Sequence, residues 1–448
     1  MKFWKDKIFL KSMFAIALPM ALQNLISTSV NMVDTLMITS LGETSLAAVG
    51  LANQIFFFYA LITFGINSGS SIFISQYWGK EDFINIRRIL GIALFISLGV
   101  GIIFTIVAFF FPEFLMRIFI GDVEVVKLGA DYLKLVSLSY IITAISFAYN
   151  VALRSTGRPK IPMIGSLISF VTNTVFNYML IFGKFGFPAL GVKGAAIATI
   201  IARIAEFIFL IYTVYRTKGV LAAKFKDLID WNKEFIAKYI KTVSPVIFNE
   251  GFWSLGQIMY SIAYASIGTE ATAAIQLTTT IQNVFFVLIR GLANACTVMI
   301  GNRIGAKNEE EAYDYAIKFI SLATTLGLVL GAIMALTPDL TLSIFNIEPE
   351  LYEVTKKLLI VMGLTFFIRT YNSTVIVGVL RGGGDTNYSL YLEMGAVWLV
   401  GVPLAFIGAK LLNLPVYLVF LLVSTEELVK LVVSLPRVLS KKWIKDLT

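Results

Sequence analysis

The sequence predicts an all-α integral membrane protein, with twelve transmembrane helices in two six-helix lobes related by a pseudo-two-fold axis along the membrane normal. Three observations carry this expectation. Hydrophobic residues make up 57% of the 448 positions and charged residues only 15%, with a mean hydropathy of +0.81, far outside the range of a water-soluble domain. Apolar stretches of about 20 residues or more recur along the whole length, as helices crossing a hydrocarbon core about 30 Å thick require, and unlike the short alternating strands of a barrel. The second half of the chain also repeats the first.

Apolar runs between polar breaks place the spans near residues 12–40, 46–77, 88–111, 128–150, 160–183, 190–214, 238–267, 271–301, 312–337, 352–380, 386–410 and 414–436. The first follows a basic start, MKFWKDK, as a signal peptide would. Its apolar character continues to about Leu41 with no small-residue cleavage site, so it reads as an uncleaved span. Lysine and arginine sort strongly by side. The N-terminus, GKEDFINIRR, RSTGRPK, YRTKGVLAAKFKDLIDWNKEFIAK and KKWIKDLT fall on one face, whereas LGETS, IGTEA and TPDLTLSIFNIEPE on the other carry none. The positive-inside rule then puts both termini in the cytoplasm of a multi-pass plasma-membrane protein. The net charge of +9 belongs to that lipid-facing cytoplasmic surface and implies no nucleic-acid partner.

The repeat is read from matched residues. Pro19 in LPMALQN recurs as Pro245 in SPVIFNE, Gly42 in LGETSLAA as Gly268 in IGTEATAA, Gly79 in GKED as Gly305 in GAKNEEE, and Arg154 in LRSTGRPK as Arg381 in LRGGGDTN. Each pair is 226 or 227 positions apart, a register held over roughly 130 residues. The expected organisation is an N-lobe at 1–214, a cytoplasmic linker at 215–237 and a C-lobe at 238–448. Six spans per unit give both halves the same orientation, which in parallel-repeat transporters places the substrate path between halves that rock to alternate access.

The residues VDTLMI, LGETSLAAVG, SQYWGKED, LRSTGRPK, GVKGAAIAT, IGTEATAA, LRGGGDT and WLVGVPLAFIGA resemble those of the prokaryotic multidrug and toxic compound extrusion (MATE) family, in the same order and over nearly the whole chain. The resemblance implies a secondary active multidrug exporter. Such a protein moves amphipathic, often cationic, drug-like molecules in exchange for sodium ions or protons, with no other cofactor, and acts as a monomer in the lipid bilayer. NorM-like and DinF-like branches both remain open.

Within the spans, ionisable residues are costly and mark function by default. Asp34 lies roughly 9 Å below the outer edge of the first span, Asn177 and Asn173 in the fifth roughly 9 and 15 Å below it, and Thr199 in the sixth roughly 14 Å. Asn173 and Asn177 are four apart and share a helix face. One carboxylate with neutral oxygens suits a monovalent cation, so Asp34 is the one place where sodium is expected, and no other metal site is predicted. The desolvated carboxyl could equally hold a proton. These positions match the cation and proton cluster of the MATE N-lobe, although some members have aspartate where Asn177 stands. The alternative is that Asp34 only packs.

Glu250, near mid-membrane, and Glu393, in YLEMGAVWLV, match acidic positions of the family and form a second acidic or substrate site. Ion pairs of Glu250 with Arg290 or Arg369, and of Glu393 with Arg369, are the structural alternatives. Arg203 and Glu206 are expected to form a local pair. Pro19 should bend the first helix, since it removes a backbone donor, and the recurrence at Pro245 suggests both halves need that break. Gln54, Asn67, Gln276, Gln282 and Asn283 are expected to line a wet chamber, with aromatic residues such as Phe56, Tyr59, Trp253 and Phe285 available to flat cations.

Other classes find little support. Histidine is absent and Cys296 is the only cysteine, which excludes an intrachain disulfide and thiol metal clusters. No G-x-S-x-G, H-E-x-x-H or G-x-x-x-x-G-K-[ST] pattern occurs, so neither an enzyme nor an ATP-driven pump is expected. A lipid-linked saccharide flippase of the wider superfamily is the runner-up. It would need several cavity-facing basic residues, for which Arg203, Arg290 and Arg369 are the candidates.

Overall fold

A computed structural model of the protein describes residues 6–343, 345 and 348–448. The basic start at 1–5, and Ile344, Asn346 and Ile347 of the loop read as free of lysine and arginine, lie outside the described residues. Among the described residues no β-strand occurs, and twelve long helical passes fall on the twelve expected spans. They are α1 (Lys7–Thr39), α2 (Glu43–Gly79), α3 (Phe83–Phe110), α4 (Val123–Val136 and Ser139–Ser155), α5 (Lys160–Phe182), α6 (Val192–Arg216), α7 (Lys233–Ala265), α8 (Thr269–Gly305), α9 (Glu309–Leu336), α10 (Pro349–Ser373, continuing as the π-helix Thr374–Leu380), α11 (Thr386–Leu411) and α12 (Val416–Val423 and Thr425–Leu439). Eight are single helices long and apolar enough to cross a bilayer, and the two parts of α4, bent by 51°, pass the same test together. The other three, α7, α10 and α12, contain the charged residues Glu250, Arg369, Glu426, Glu427 and Lys430, of which Glu426 and Lys430 are buried.

The repeat is visible in backbone geometry. Gly42 (φ +103°) and Gly268 (φ +151°) precede α2 and α8, while Gly157 (φ +73°) and Gly384 (φ +82°) turn the chain after Arg154 and Arg381. Positive φ costs a side-chain-bearing residue roughly 1–2 kcal/mol, so glycine recurs where the turns recur. Glu81 and Lys307, 226 positions apart, also share positive φ (61° and 57°). The next residues cap the following helices: Asp82 accepts from the Asn85 amide at 3.1 Å and Asn308 from the Glu311 amide at 3.2 Å.

The chain divides into two compact units, one of Leu22–Val243 and the other of the segment up to Ala21 together with Ser244–Thr448. Their boundaries differ from those read in the sequence. The start of α1 belongs with the C-terminal half, and the start of α7 with the N-terminal half. In the first unit the rings of Tyr59 and Tyr140 stack at 5.0 Å, and Tyr59 Oη donates to the Tyr140 carbonyl at 2.8 Å. Met116, Leu133, Val136 and Ala196 complete this core. The segment expected as a linker packs onto α3. Arg87 donates to the Val220 carbonyl (2.9 Å), Arg88 pairs with Asp230 (2.6 Å), and Gly91 leaves room for the Leu228 carbonyl, which a Cβ would approach to 1.8 Å. In the second unit Phe9 and Met13 of α1 are buried with Cys296, Phe319, Val375, Val379 and Trp443. Asp6 accepts from Lys318 Nζ at 2.6 Å. Inside a bilayer such cores are held by close packing and hydrogen bonds more than by expulsion from water.

Candidate ion-coupling sites

In the unit Leu22–Val243, close approach of two helices builds the first site. α6 opens with small residues, and a Cβ on Gly194 would lie 2.5 Å from the Leu180 carbonyl of α5. That fit brings Thr199 of α6 to Asn173 of α5, whose Nδ2 donates to Thr199 Oγ1 at 3.5 Å. One turn along α5, Asn177 Nδ2 donates to Asn173 Oδ1 at 3.1 Å and also to Asp34 Oδ1 of α1. All four residues singled out by type and depth therefore form one continuous chain, Thr199, Asn173, Asn177, Asp34. Asn173 and Asn177 are buried, and Asp34 and Thr199 are half-buried.

The chain is not saturated, because Asn177 Oδ1 is buried without a hydrogen-bond partner. An orphaned acceptor beside a carboxylate, an amide oxygen and a hydroxyl is a donor set of hard oxygens carrying one negative charge. It fits a monovalent cation or a proton better than a divalent ion. Close by in the sequence of α6, Arg203 pairs with Glu206 at 3.2 Å as expected, and Asn150 Nδ2 donates to Glu206 at 3.3 Å. Glu206 is thus neutralised locally, and Asp34 has no ion-pair partner among the described residues closer than 4 Å.

The second unit holds a larger ionic network. Glu250 Oε1 accepts from Arg381 Nη1 at 2.6 Å, and Glu393 Oε2 lies 4.0 Å from Arg381 Nη2. The expected pairings with Arg290 and Arg369 are corrected by this geometry. Arg369 donates instead to Gln282 at 2.8 Å, and both Arg369 and Arg290 sit over the ring of Phe286 (5.6 and 5.7 Å). In the sequence Arg381 stands out only as the repeat partner of Arg154. The π-helix Thr374–Leu380 precedes it, and its side chain is 3% exposed.

Sequence reading missed the cluster on α12. Lys430 Nζ lies 3.3 Å from Glu426 and 3.4 Å from Glu427, Tyr260 Oη donates to Glu426, and Asn372 Nδ2 donates to Glu427 at 2.6 Å. The signal was present, since STEELVK interrupts an apolar run with three charges at spacings of one, three and four.

The chamber residues separate into two groups. Gln54, Gln276 and Asn283 are exposed. Asn67 is buried, donating to the Thr63 carbonyl at 2.8 Å and to Ser97 at 3.4 Å, and buried Gln282 accepts from Arg369. Tyr59 likewise belongs to the helix core. Pro19 is buried within the unbroken helix α1, as Pro245 is within α7.

Comparison with known proteins matches the MatE family model to residues 19–179 and again to 245–407. The two matches begin at Pro19 and Pro245, in the register of the internal repeat. A probable multidrug resistance protein NorM from Thermotoga maritima is 25% identical over 436 residues, covering 97% of this chain and 93% of that protein. Among solved structures, an outward-facing multidrug resistance MATE family transporter of the MOP superfamily superposes with a TM-score of 0.87 at 20% identity, covering 96% of each chain. A MOP superfamily transporter from Pyrococcus furiosus, for which a binding pocket of reverse polarity suggests a different function, superposes with a TM-score of 0.86, again at 20% identity and 96% of each chain. At this identity the two structures establish the fold, twelve helices in two lobes.

Proposed function

Because the chain belongs to the MatE family, matched in both of its halves, we propose that it is a secondary active multidrug efflux transporter that exports amphipathic, often cationic organic compounds in exchange for Na+ or H+. The observation that carries the coupling step is the chain from Asp34 through Asn177 and Asn173 to Thr199, with Asn177 Oδ1 left without a partner. A monovalent occupant there neutralises the lone carboxylate of the cluster, and an empty site leaves it charged. The two states favour different arrangements of α1 against α5 and α6, and drug and ion compete through that difference. Glu250 and Glu393, held against Arg381, form the second acidic site, where a cationic drug or ion exchanges with the guanidinium. The side-sorting of lysine and arginine supports cytoplasmic termini in a multi-pass membrane protein.

The flippase reading draws less support. A buried pyrophosphate needs several free cationic side chains, and of the three candidates Arg203 is already paired with Glu206, leaving only Arg290 and Arg369 over the ring of Phe286. Proteoliposomes test both matters. Export of a fluorescent organic cation driven by an inward Na+ gradient at equal pH assigns sodium as the coupling ion, and export driven by a proton gradient in sodium-free buffer assigns protons. Translocation of a lipid-linked saccharide with no cation export would overturn the reading.

A further inference from the structure

The repeat places one unassigned feature at the same point of both units. α1 contributes its start, up to Ala21, to one unit and its remainder, from Leu22, to the other, and α7 changes unit between Val243 and Ser244. Pro19 and Pro245 stand within two residues of those crossings. The arms before them are firmly seated. Phe9 and Met13 lie in a buried core, Tyr239 bonds to Ser70 (2.6 Å) and stacks on Phe73 (6.0 Å), and Val243 fills the space above Gly69. A proline removes one i to i−4 hydrogen bond, so each helix is least stiff where it changes unit.

One turn downstream, each helix is gripped by the repeat-related arginine. Arg154 donates through Nε (3.1 Å) and Nη2 (2.5 Å) to Gln23 Oε1, and Gln23 Nε2 donates to Ser166 at 2.9 Å. In the other unit Arg381 donates to Glu250 at 2.6 Å, while the adjacent Asn249 donates to Ser389 at 3.2 Å. Gln23, Asn249 and Arg381 are all under 5% exposed. The arginines stand at the ends of helices, just before the turns at Gly157 and Gly384, so the grip is anchored in each unit's own backbone.

We propose that Arg154 and Arg381 are paired hinge clamps. Each fixes the arm of α1 or α7 just beyond its proline to its own unit, so that bending is confined to Pro19 and Pro245. They are positioning residues that act through Gln23 and Glu250. The proposal rests on the transporter reading for its use, but the bending itself can be measured without any substrate.

The test uses the full-length protein with Cys296→Ala and spin labels on Phe14→Cys and Thr28→Cys, both exposed and on either side of Pro19. Fourteen residues of helix set the label-bearing backbone positions about 21 Å apart. Arg154→Met should broaden the distance distribution, Gln23→Leu, which also gives up the Ser166 bond, should broaden it at least as much, their combination no further than Gln23→Leu alone, and Arg154→Lys should restore part of the narrow distribution. Maximal drug export should fall about fivefold or more with KM changed less than about twofold, because Arg154 and Gln23, unlike Arg381 and Glu250, belong to neither candidate site and act on the conformational step. If Arg154→Met does not remain monodisperse, Gln23→Leu removes the same contact from the helix side. A folded variant with the unaltered distribution, or additive effects of Arg154→Met and Gln23→Leu, would overturn the clamp. A broadened distribution in a protein that exports no drug would leave the clamp standing and overturn the exporter reading.

Discussion

Asp34→Asn separates stability from coupling at the first site. The substitution keeps the shape of the side chain and removes its charge. The bond from Asn177 loses its charge assistance, a change on the order of 1 kcal/mol, and the unpartnered Asn177 Oδ1 offers the new amide an acceptor. Folding should therefore change little. Ion binding should change greatly, because Asp34 supplies the only carboxylate of the four-residue chain. At an effective dielectric near 20, a unit charge about 4 Å from a bound monovalent ion is worth roughly 4 kcal/mol. That corresponds to a loss of about two to three powers of ten in affinity, at roughly 1.4 kcal/mol for each. The assay pairs equilibrium binding of radioactive sodium, and pH-jump proton release, with ion-driven drug export in proteoliposomes, all on monodisperse protein. Expected are thermal stability close to wild type and no ion-driven export. Wild-type export by Asp34→Asn would remove this site from the mechanism, and collapse of the fold would show the residue to be structural.

Three further outcomes are expected. Glu250→Gln exchanges a charged acceptor of Arg381 for an amide and should change the ion dependence or drug profile of transport. Unchanged transport of several drugs under both gradients would confine Glu250 to packing. Lys430→Met leaves buried Glu426 and half-buried Glu427 adjacent without their shared cation; it should cost about 3–5 kcal/mol, read as early thermal unfolding in detergent, and Lys430→Met with Glu427→Gln should recover much of that loss. At the membrane surface the Lys318 hydrogen bond to Asp6 lowers the Asp6 pKa. Its stabilisation is present above the ordinary carboxylate range and is lost as pH falls through the lowered value. For a pair this accessible the effect is at most about 1 kcal/mol, so Asp6→Asn should flatten the acid limb of the stability profile slightly, and high salt should do the same to the wild type.

The first site was legible because its information is nearly one-dimensional. Depth follows from counting residues at a fixed rise, and the shared face of Asn173 and Asn177 follows from their spacing. The second site was only half legible. Depth singled out Glu250, and the family match Glu393, but their partner Arg381 was not among the arginines weighed, Arg290 and Arg369, because that pairing depends on the rotation of α8 and α10 about their axes. The π-helix before Arg381 changes that rotation, and no hydropathy pattern records it. That Asn67 and Gln282 bond to neighbouring protein groups was not legible for a similar reason: polarity in a span shows that a partner is needed, but not whether that partner is water, a drug or a neighbouring helix.

By itself, then, the amino-acid order determined an α-helical membrane protein of twelve passes, its duplication and the glycine turns that recur with it. Bilayer thickness, helix rise and forbidden backbone angles act on each segment locally. The tertiary structure alone decided that α1 and α7 change unit beside their prolines, that repeat-related arginines hold them there, and that α12 brings a lysine between two carboxylates. Those outcomes depend on which helix faces which, and that is settled only when all side chains pack at once.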